Sequence, residues 1–195
     1  TPGSQVTFRP DRIMLVDGRP FYPLATYRDP SDSTKSFEGV KQAGFNLTHD
    51  YLFEHEPQDV ATARAYLDEA HKRGLKVFMG IPRSKIKDQD HLWIENWVAG
   101  LMDHPALLLW YLMDEPELQG VTADTLRQVR HIVKSIDPFH PTTVVYCQPG
   151  RFDEWEGGHD LQWHDPYPLP KRPLTWVEKY VISAREAQGE HRPTW

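Results

Sequence analysis

Cysteine is nearly missing from this 195-residue chain: Cys147 stands alone. One thiol cannot close an intrachain disulfide or build a zinc site from several thiolates. Long apolar runs are missing too, since none approaches the roughly 20 residues that a membrane-spanning helix requires. No Lys/Arg run interrupts the sequence, and the net charge is −6, which argues against nucleic acid as a partner. The opening Thr1-Pro2-Gly3-Ser4-Gln5 shows no charged region followed by an apolar one, so no signal peptide is visible. Secretion or periplasmic export, with a leader already removed, is the favoured expectation for localisation. Internal repeats and low-complexity tracts are also lacking, so the expectation is one domain over residues 1–195.

What is present is an ordinary globular composition, 39% hydrophobic and 26% charged. Aromatics reach 12%, with 7 Trp and 8 Tyr, a supply that serves a core and also suits stacking on sugar rings. Val6-Thr7-Phe8, Ile13 to Val16 and the turn Asp17-Gly18 read as an N-terminal hairpin over residues 1–19. Strand and helix then alternate. Apolar strands are predicted at Phe21–Tyr27, Phe45–Leu52, Leu75–Ile81, Ala106–Met113, Thr142–Cys147 and Asp160–His164. Between them lie helical patterns such as Val60, Ala63, Leu67 and Ala70, closed by Gly74. The last helix opens with Thr175 and Glu178 in capping-box spacing and is predicted to bury Val177, Tyr180, Val181 and Ala184. His191 to Trp195 reads as the start of a seventh strand.

Six βα units in series predict an α/β fold with a parallel sheet. The first turn, Arg28-Asp29-Pro30-Ser31, lacks the glycine-rich phosphate cradle of a doubly wound nucleotide fold. Units of about 30 residues fit an incomplete (β/α)₈ barrel of the TIM type, whose eight units total about 250. By that arithmetic roughly 55 residues of a full barrel lie beyond this sequence. In such a barrel the site occupies the carboxyl ends of the strands. Those ends carry Asp29, His49, Asp50, Arg83, Asp114, Glu115, Gln148, Trp163, His164, Asp165 and Tyr167. Several carboxylates are present, with neither a serine–histidine nor a cysteine–histidine elbow. The pairs His49-Asp50 and His164-Asp165 are of metal-ligand type. Strand one, at Leu24-Ala25-Thr26, lacks the His-x-His of hydrolytic metal sites on this fold, so neither metal nor cofactor is expected.

The densest signal is His104-Pro105-Ala106-Leu107-Leu108-Leu109-Trp110-Tyr111-Leu112-Met113-Asp114-Glu115-Pro116. An apolar strand delivers two carboxylates, and Pro116 ends its ladder. This segment resembles the strand-four signature of clan A glycoside hydrolases. Asp17-Gly18-Arg19-Pro20-Phe21, Gln42-Ala43-Gly44-Phe45-Asn46, Gly74-Leu75-Lys76-Val77 and Asp137-Pro138-Phe139-His140-Pro141 are similar to further segments of those barrels, in the same order. The resemblance implies a retaining glycosidase with Glu115 as acid/base and a nucleophile closing strand seven, beyond this sequence. It also implies that Asp29, His49, Asp50, Arg83, Asp114, Gln148, Trp163, Asp165 and Tyr167 surround a carbohydrate substrate. Asp114 departs from the Asn usual in the family; an ionised Asp accepts a bond from a sugar hydroxyl but cannot donate one. Two other expectations stand beside this one. The chain could serve as a non-catalytic carbohydrate-binding or assembly module, associating through open barrel edges. It could also hold a complete inverting site, with Asp50 or Asp165 as base.

Overall fold

The computed structural model describes residues 3–28 and 36–188. Its order is β1 (Val6–Phe8), β2 (Met14–Val16), β3 (Arg19–Pro20), β4 (Ala25–Arg28), α1 (Phe37–Gln42), β5 (Leu47–Asp50), α2 (Leu52–His55), α3 (Val60–Lys72) and β6 (Lys76–Gly80). There follow α4 (Arg83–Lys87), α5 (His91–Leu101), β7 (Leu107–Asp114), α6 (Pro116–Gln119), α7 (Ala123–Ile136), β8 (Thr142–Tyr146), a 3-10 helix (Pro149–Trp155), β9 (Leu161–His164) and α8 (Trp176–Gln188). Strands β4 to β9 form a parallel sheet in sequence order, and β1-β2-β3 form a small antiparallel sheet. The α/β alternation read from the sequence is therefore the architecture.

Local chemistry explains the boundaries. Ser36, Asp59, Asp90 and Thr122 each cap a helix by accepting a backbone N–H from inside its first turn. Gly44 and Gly74 follow α1 and α3 with φ of +87° and +68°, where a side chain would be strained. Helix α3 turns Ala63, Leu67 and Ala70 inward and α7 turns Leu126, Val129 and Val133, the spacing of one helical face. Leu67 is fully buried, and that burial alone is worth about 1.5–3 kcal/mol. Central strand β7 is buried along Leu107–Met113, as a parallel strand covered on both faces must be. Leu107, Trp110, Leu112 and Met113 join the core beneath the helices; Leu108, Leu109 and Tyr111 join a second core on the other face.

That second core contains Tyr27 from one edge strand and Leu161 and Trp163 from the other. Residues of both edges, Ala25, Tyr27, Trp163, His164 and Asp165, also line one cavity of about 240 Å³. The sheet is thus curled, with its edges β4 and β9 facing across its concave side.

Several sequence expectations are corrected. The Asp17-Gly18 turn joins β2 to β3, so the N-terminal unit has three strands rather than two. The first parallel strand starts at Ala25 rather than Phe21. Ahead of it the Asn46 side chain takes the place of a strand partner, accepting from Leu24 N and donating to Tyr22 O, each at 2.8 Å. Strand β5 stops at Asp50, whose Oδ1 accepts Leu52 N at 3.0 Å and starts α2. Helix α8 buries Tyr180 and Ala184, but Val177 and Val181 are exposed at 41% and 36%. No described element covers that side of the helix. The expected start of a seventh strand lies outside the described residues.

Candidate active site

The carboxyl ends of the parallel strands gather charged groups at one mouth. Arg28 ends β4, Asp50 ends β5, Arg83 opens α4 after β6, and Asp114-Glu115 follow from β7. Cys147 and Gln148 follow β8, and Asp165 follows β9. Asp29 lies outside the described residues.

Glu115 is held in a costly backbone state. Its φ of 45° and ψ of 57° are left-handed, a region rarely taken by a residue with a side chain. Flanking contacts hold it there: its N–H donates to Val145 O, its carbonyl accepts Leu118 N, both at 2.9 Å, and Pro116 starts α6. Strain of this kind is kept where surrounding structure over-determines it, and it turns the residue after Asp114 out of the strand path. Asp114 itself accepts from Tyr111 Oη at 2.9 Å and lies 3.6 Å from Arg83 Nη2. Burial first, and then the negative charges of Glu54 and Glu115, raise its pKa against the help of Tyr111 and Arg83.

Arg83 is gripped from behind by Glu54, with Nε and Nη2 at 2.7 and 2.5 Å from Glu54 Oε1. Glu54, which the sequence reading passed over, is fully buried on α2, and its Oε2 stands 3.7 Å from His49 Nε2. Burial pulls its pKa up, but the His49 ring and the Arg83 guanidinium more than reverse this, and the net shift is downward. Glycine at position 80 permits the approach, because a Cβ there would meet His49 Cε1 and Phe53 O at 3.0 Å. Glu54→Gln should therefore cost about 1–3 kcal/mol at pH 7 by weakening charge-assisted bonds to Arg83. A carboxylate with a lowered folded pKa gives stability that is present above about pH 4.3 and lost as pH falls through the folded value. Urea unfolding at pH 7 and again near pH 3 should show the difference between wild type and variant shrinking in acid.

The other sequence candidates fall into two groups. His49 and Asp50 lie under the mouth rather than in it. His49 is fully buried, its Nδ1 2.9 Å from Phe78 O and its ring stacked on Phe78 at 4.7 Å. Asp50 is buried against Leu52 N, with Arg28 Nη1 at 3.9 Å. Strand alternation sends His49 into the concave-face core, while Asp50, on the opposite face, is enclosed beside Arg28 as α2 starts at once. Arg83, Asp114, Glu115, Trp163 and Asp165 do come together around the mouth and its cavity. Trp163 packs edge-on against Phe78 at 5.1 Å and lines that cavity, so it is wall and part of the core at once. Tyr167 stands 77% exposed beyond it. Gln148 turns to the rim, where its Oε1 accepts from Arg151 at 3.3 Å and its N–H donates to Glu117. Among the described residues no His/Cys/Asp/Glu cluster is arranged to hold a metal ion.

Burial, and then the neighbouring acids Glu115 and Asp114, push the Asp165 pKa up to about 8. Inverting hydrolysis needs the two carboxyl groups about 6.5–9.5 Å apart, with water between them. Of the two candidate bases, Asp50 is buried, with its Oδ1 on Leu52 N.

Sequence comparison matches no protein family and no curated protein. Comparison of folds finds solved structures of similar shape. A GH2 beta-galacturonidase from Eisenbergiella tayi, bound to galacturonate, superposes with a TM-score of 0.75 at 16% identity, over 98% of this chain and 37% of that one. A beta-glucuronidase of Bacteroides uniformis gives 0.71 at 17%, covering 98% and 26%, and a putative beta-galactosidase from Bacteroides fragilis gives 0.73 at 12%, covering 98% and 30%. The chain thus spans about a quarter to about a third of these larger proteins and shares with that portion its curled α/β fold.

Proposed function

We propose that this chain forms the first six units of a (β/α)₈ barrel in a retaining glycoside hydrolase, with Glu115 as its acid/base. The observation that carries the reading is Glu115 itself, held in a strained turn at the end of an apolar central strand, at the mouth where such barrels do their chemistry. Carbohydrate-active proteins of the same fold support it.

In the proposed reaction Glu115 donates a proton to the leaving glycosidic oxygen as the bond to the sugar breaks. A second carboxylate attacks the anomeric carbon from the opposite face, and Glu115, now ionised, activates water to release the sugar. That nucleophile belongs about 5–5.5 Å from Glu115, and its expected place is the end of a seventh strand. Asp114, oriented by Tyr111 and Arg83, stands beside Glu115 where a sugar hydroxyl can donate to it. Trp163 and exposed Tyr167 offer ring faces for stacking. The substrate class is an oligo- or polysaccharide, with β-linked glucuronides, galacturonides and galactosides as the first to try.

The test is hydrolysis by the natural full-length protein over a panel of those glycosides, with the anomer of the released sugar read by NMR. Retention of configuration, abolished in Glu115→Gln, is the expected result. Unchanged turnover in that variant would remove Glu115 from the role.

A further inference from the structure

Two partly exposed charges at the mouth rest on one acid that does not reach solvent. Glu54 is fully buried on α2, whereas the side chains of Arg83 and Asp114 each keep 24% of their surface open. Arg83 Nε and Nη2 lie 2.7 and 2.5 Å from Glu54 Oε1, while Nη2 stands 3.6 Å from Asp114 Oδ2. A charge-assisted N–H···O bond closes to about 2.7–2.9 Å, so the guanidinium is bonded to Glu54 and only near Asp114. This cation is shared unevenly between two carboxylates.

Each acid has its own further support. His49 Nε2 stands 3.7 Å from Glu54 Oε2, and His49 Nδ1 donates to Phe78 O at 2.9 Å. Tyr111 Oη donates to Asp114 Oδ1 at 2.9 Å, which leaves Oδ2 facing Arg83 across a gap too long for a hydrogen bond. Burial, then the charges of Glu54 and Glu115, raise the Asp114 pKa against the Tyr111 bond and the Arg83 charge. Tyr27, Tyr51, Asp165 and Tyr167 also meet that charge, from β4, the turn after β5 and the segment after β9. The net shift is upward, as befits an acid beside a guanidinium that is engaged elsewhere.

We propose that Glu54 is a positioning residue for Asp114: by holding Arg83 on its own carboxylate, it keeps the guanidinium from closing on Asp114 Oδ2 and leaves that oxygen to accept from a ligand hydroxyl. Nε and Nη2 both aim at one Glu54 oxygen, and this fixes the plane of the rigid fork. Without the Glu54 charge, Asp114 is the carboxylate already within reach, at 3.6 Å. An Arg83 closed on Asp114 would occupy the oxygen that a sugar hydroxyl needs. The consequence for turnover rests on the glycosidase reading; the uneven sharing of Arg83 does not.

Crystal structures of the full-length protein test the sharing. In Glu54→Gln, Arg83 Nη2 should close from 3.6 Å to about 2.7–2.9 Å from Asp114. In Asp114→Asn, Arg83 should stay on Glu54 with Nε and Nη2 unmoved. An Arg83 that keeps its distance in the first variant, or leaves Glu54 in the second, overturns the proposal. Asp114 is partly exposed, so its variant still decides the matter if Glu54→Gln fails to fold. The Asp114 titration, read by pH-difference infrared spectroscopy from the carboxyl band lost in Asp114→Asn, should fall by about 1–3 pH units in Glu54→Gln. An unmoved or raised titration counts against the role. Turnover supplies the second readout. Glu54→Gln and Asp114→Ala should each lower kcat/KM on glycosides by about 10–100-fold, the weight of one hydrogen bond to a charged group. The double variant should lose little more than Asp114→Ala alone, because both changes remove the same acceptor. Additive losses would show Glu54 acting on the fold rather than through Asp114, and would overturn the positioning role. Uneven sharing of Arg83 in a protein that cleaves no glycoside would reject the glycosidase reading alone.

Discussion

Glu115→Gln in the full-length protein is expected to lower kcat by about 10²–10⁴-fold on glycosides whose leaving group is a poor one, such as another sugar. The amide has the same shape and can still occupy the left-handed turn, so the fold at Val145 and Pro116 should survive. What it cannot do is give up a proton to the departing oxygen. Aryl glycosides with acidic phenol leaving groups need little of that help, and their bond-breaking step should suffer least. A graded loss across leaving groups is the signature of a missing general acid; a uniform loss would mean that the substitution damaged binding instead. Thermal unfolding is the control, and this partly buried Glu→Gln change, which keeps the backbone bonds, should stay within about 1 kcal/mol.

The largest effect on stability is expected at the other end of the sheet. Asp137 is fully buried and accepts four hydrogen bonds: Trp110 Nε1 at 2.8 Å, His140 Nδ1 at 2.7 Å, and the backbone N–H groups of Phe139 and His140 at 3.0 and 3.2 Å. His140 Nε2 then meets Ser4 Oγ at 3.0 Å, and Ser4 donates to Leu107 O at 2.8 Å. One carboxylate thus joins α7, the start of β8, central strand β7 and the N-terminal segment. Asp137→Ala leaves those donors buried without an acceptor and should cost about 3–5 kcal/mol. For a chain of this size that is a fall of about 10 °C in Tm. Burial raises the Asp137 pKa, but the bonds from His140 and Trp110 outweigh it, so the net shift is downward. The stability linked to its charge is therefore present above about pH 3.9 and lost as pH falls through the lower folded value. Urea unfolding of Asp137→Ala and Asp137→Asn at pH 7 would check the size. A loss below 1 kcal/mol for Ala would show that water replaces the lost acceptor.

Much of this molecule was legible before any coordinates. Alternating apolar strands and 3.6-period helices dictate a parallel sheet layered with helices, because each pattern has one way to bury its apolar side. The run from Leu107 to Met113 could only be a strand covered on both faces, and the acids after it had to emerge at the strand's end. The helix stop at Gly74 is equally local, since a left-handed glycine ends the run by itself.

The short helices α2, α4 and α6 were not legible, being too brief for any periodicity to show. With α2 went Glu54, which sits among polar neighbours in sequence and reads as a surface acid. It is buried only because α2 folds back over Gly80 and Arg83 arrives from the next unit to meet it. His49 reads as a mouth residue by its position near a strand end, yet its side chain points into the aromatic core of the concave face.

The sequence by itself determined which groups reach the carboxyl edge of the sheet, because strand ends and their order are local and one-dimensional. Only the tertiary structure decided which of those groups touch. Glu115 and Asp165, two strands and 50 residues apart along the chain, flank the end of β8 through the register of the sheet and a left-handed turn at one residue. Neither is written in local propensity, since both arise when separate units pack and hold one another in place.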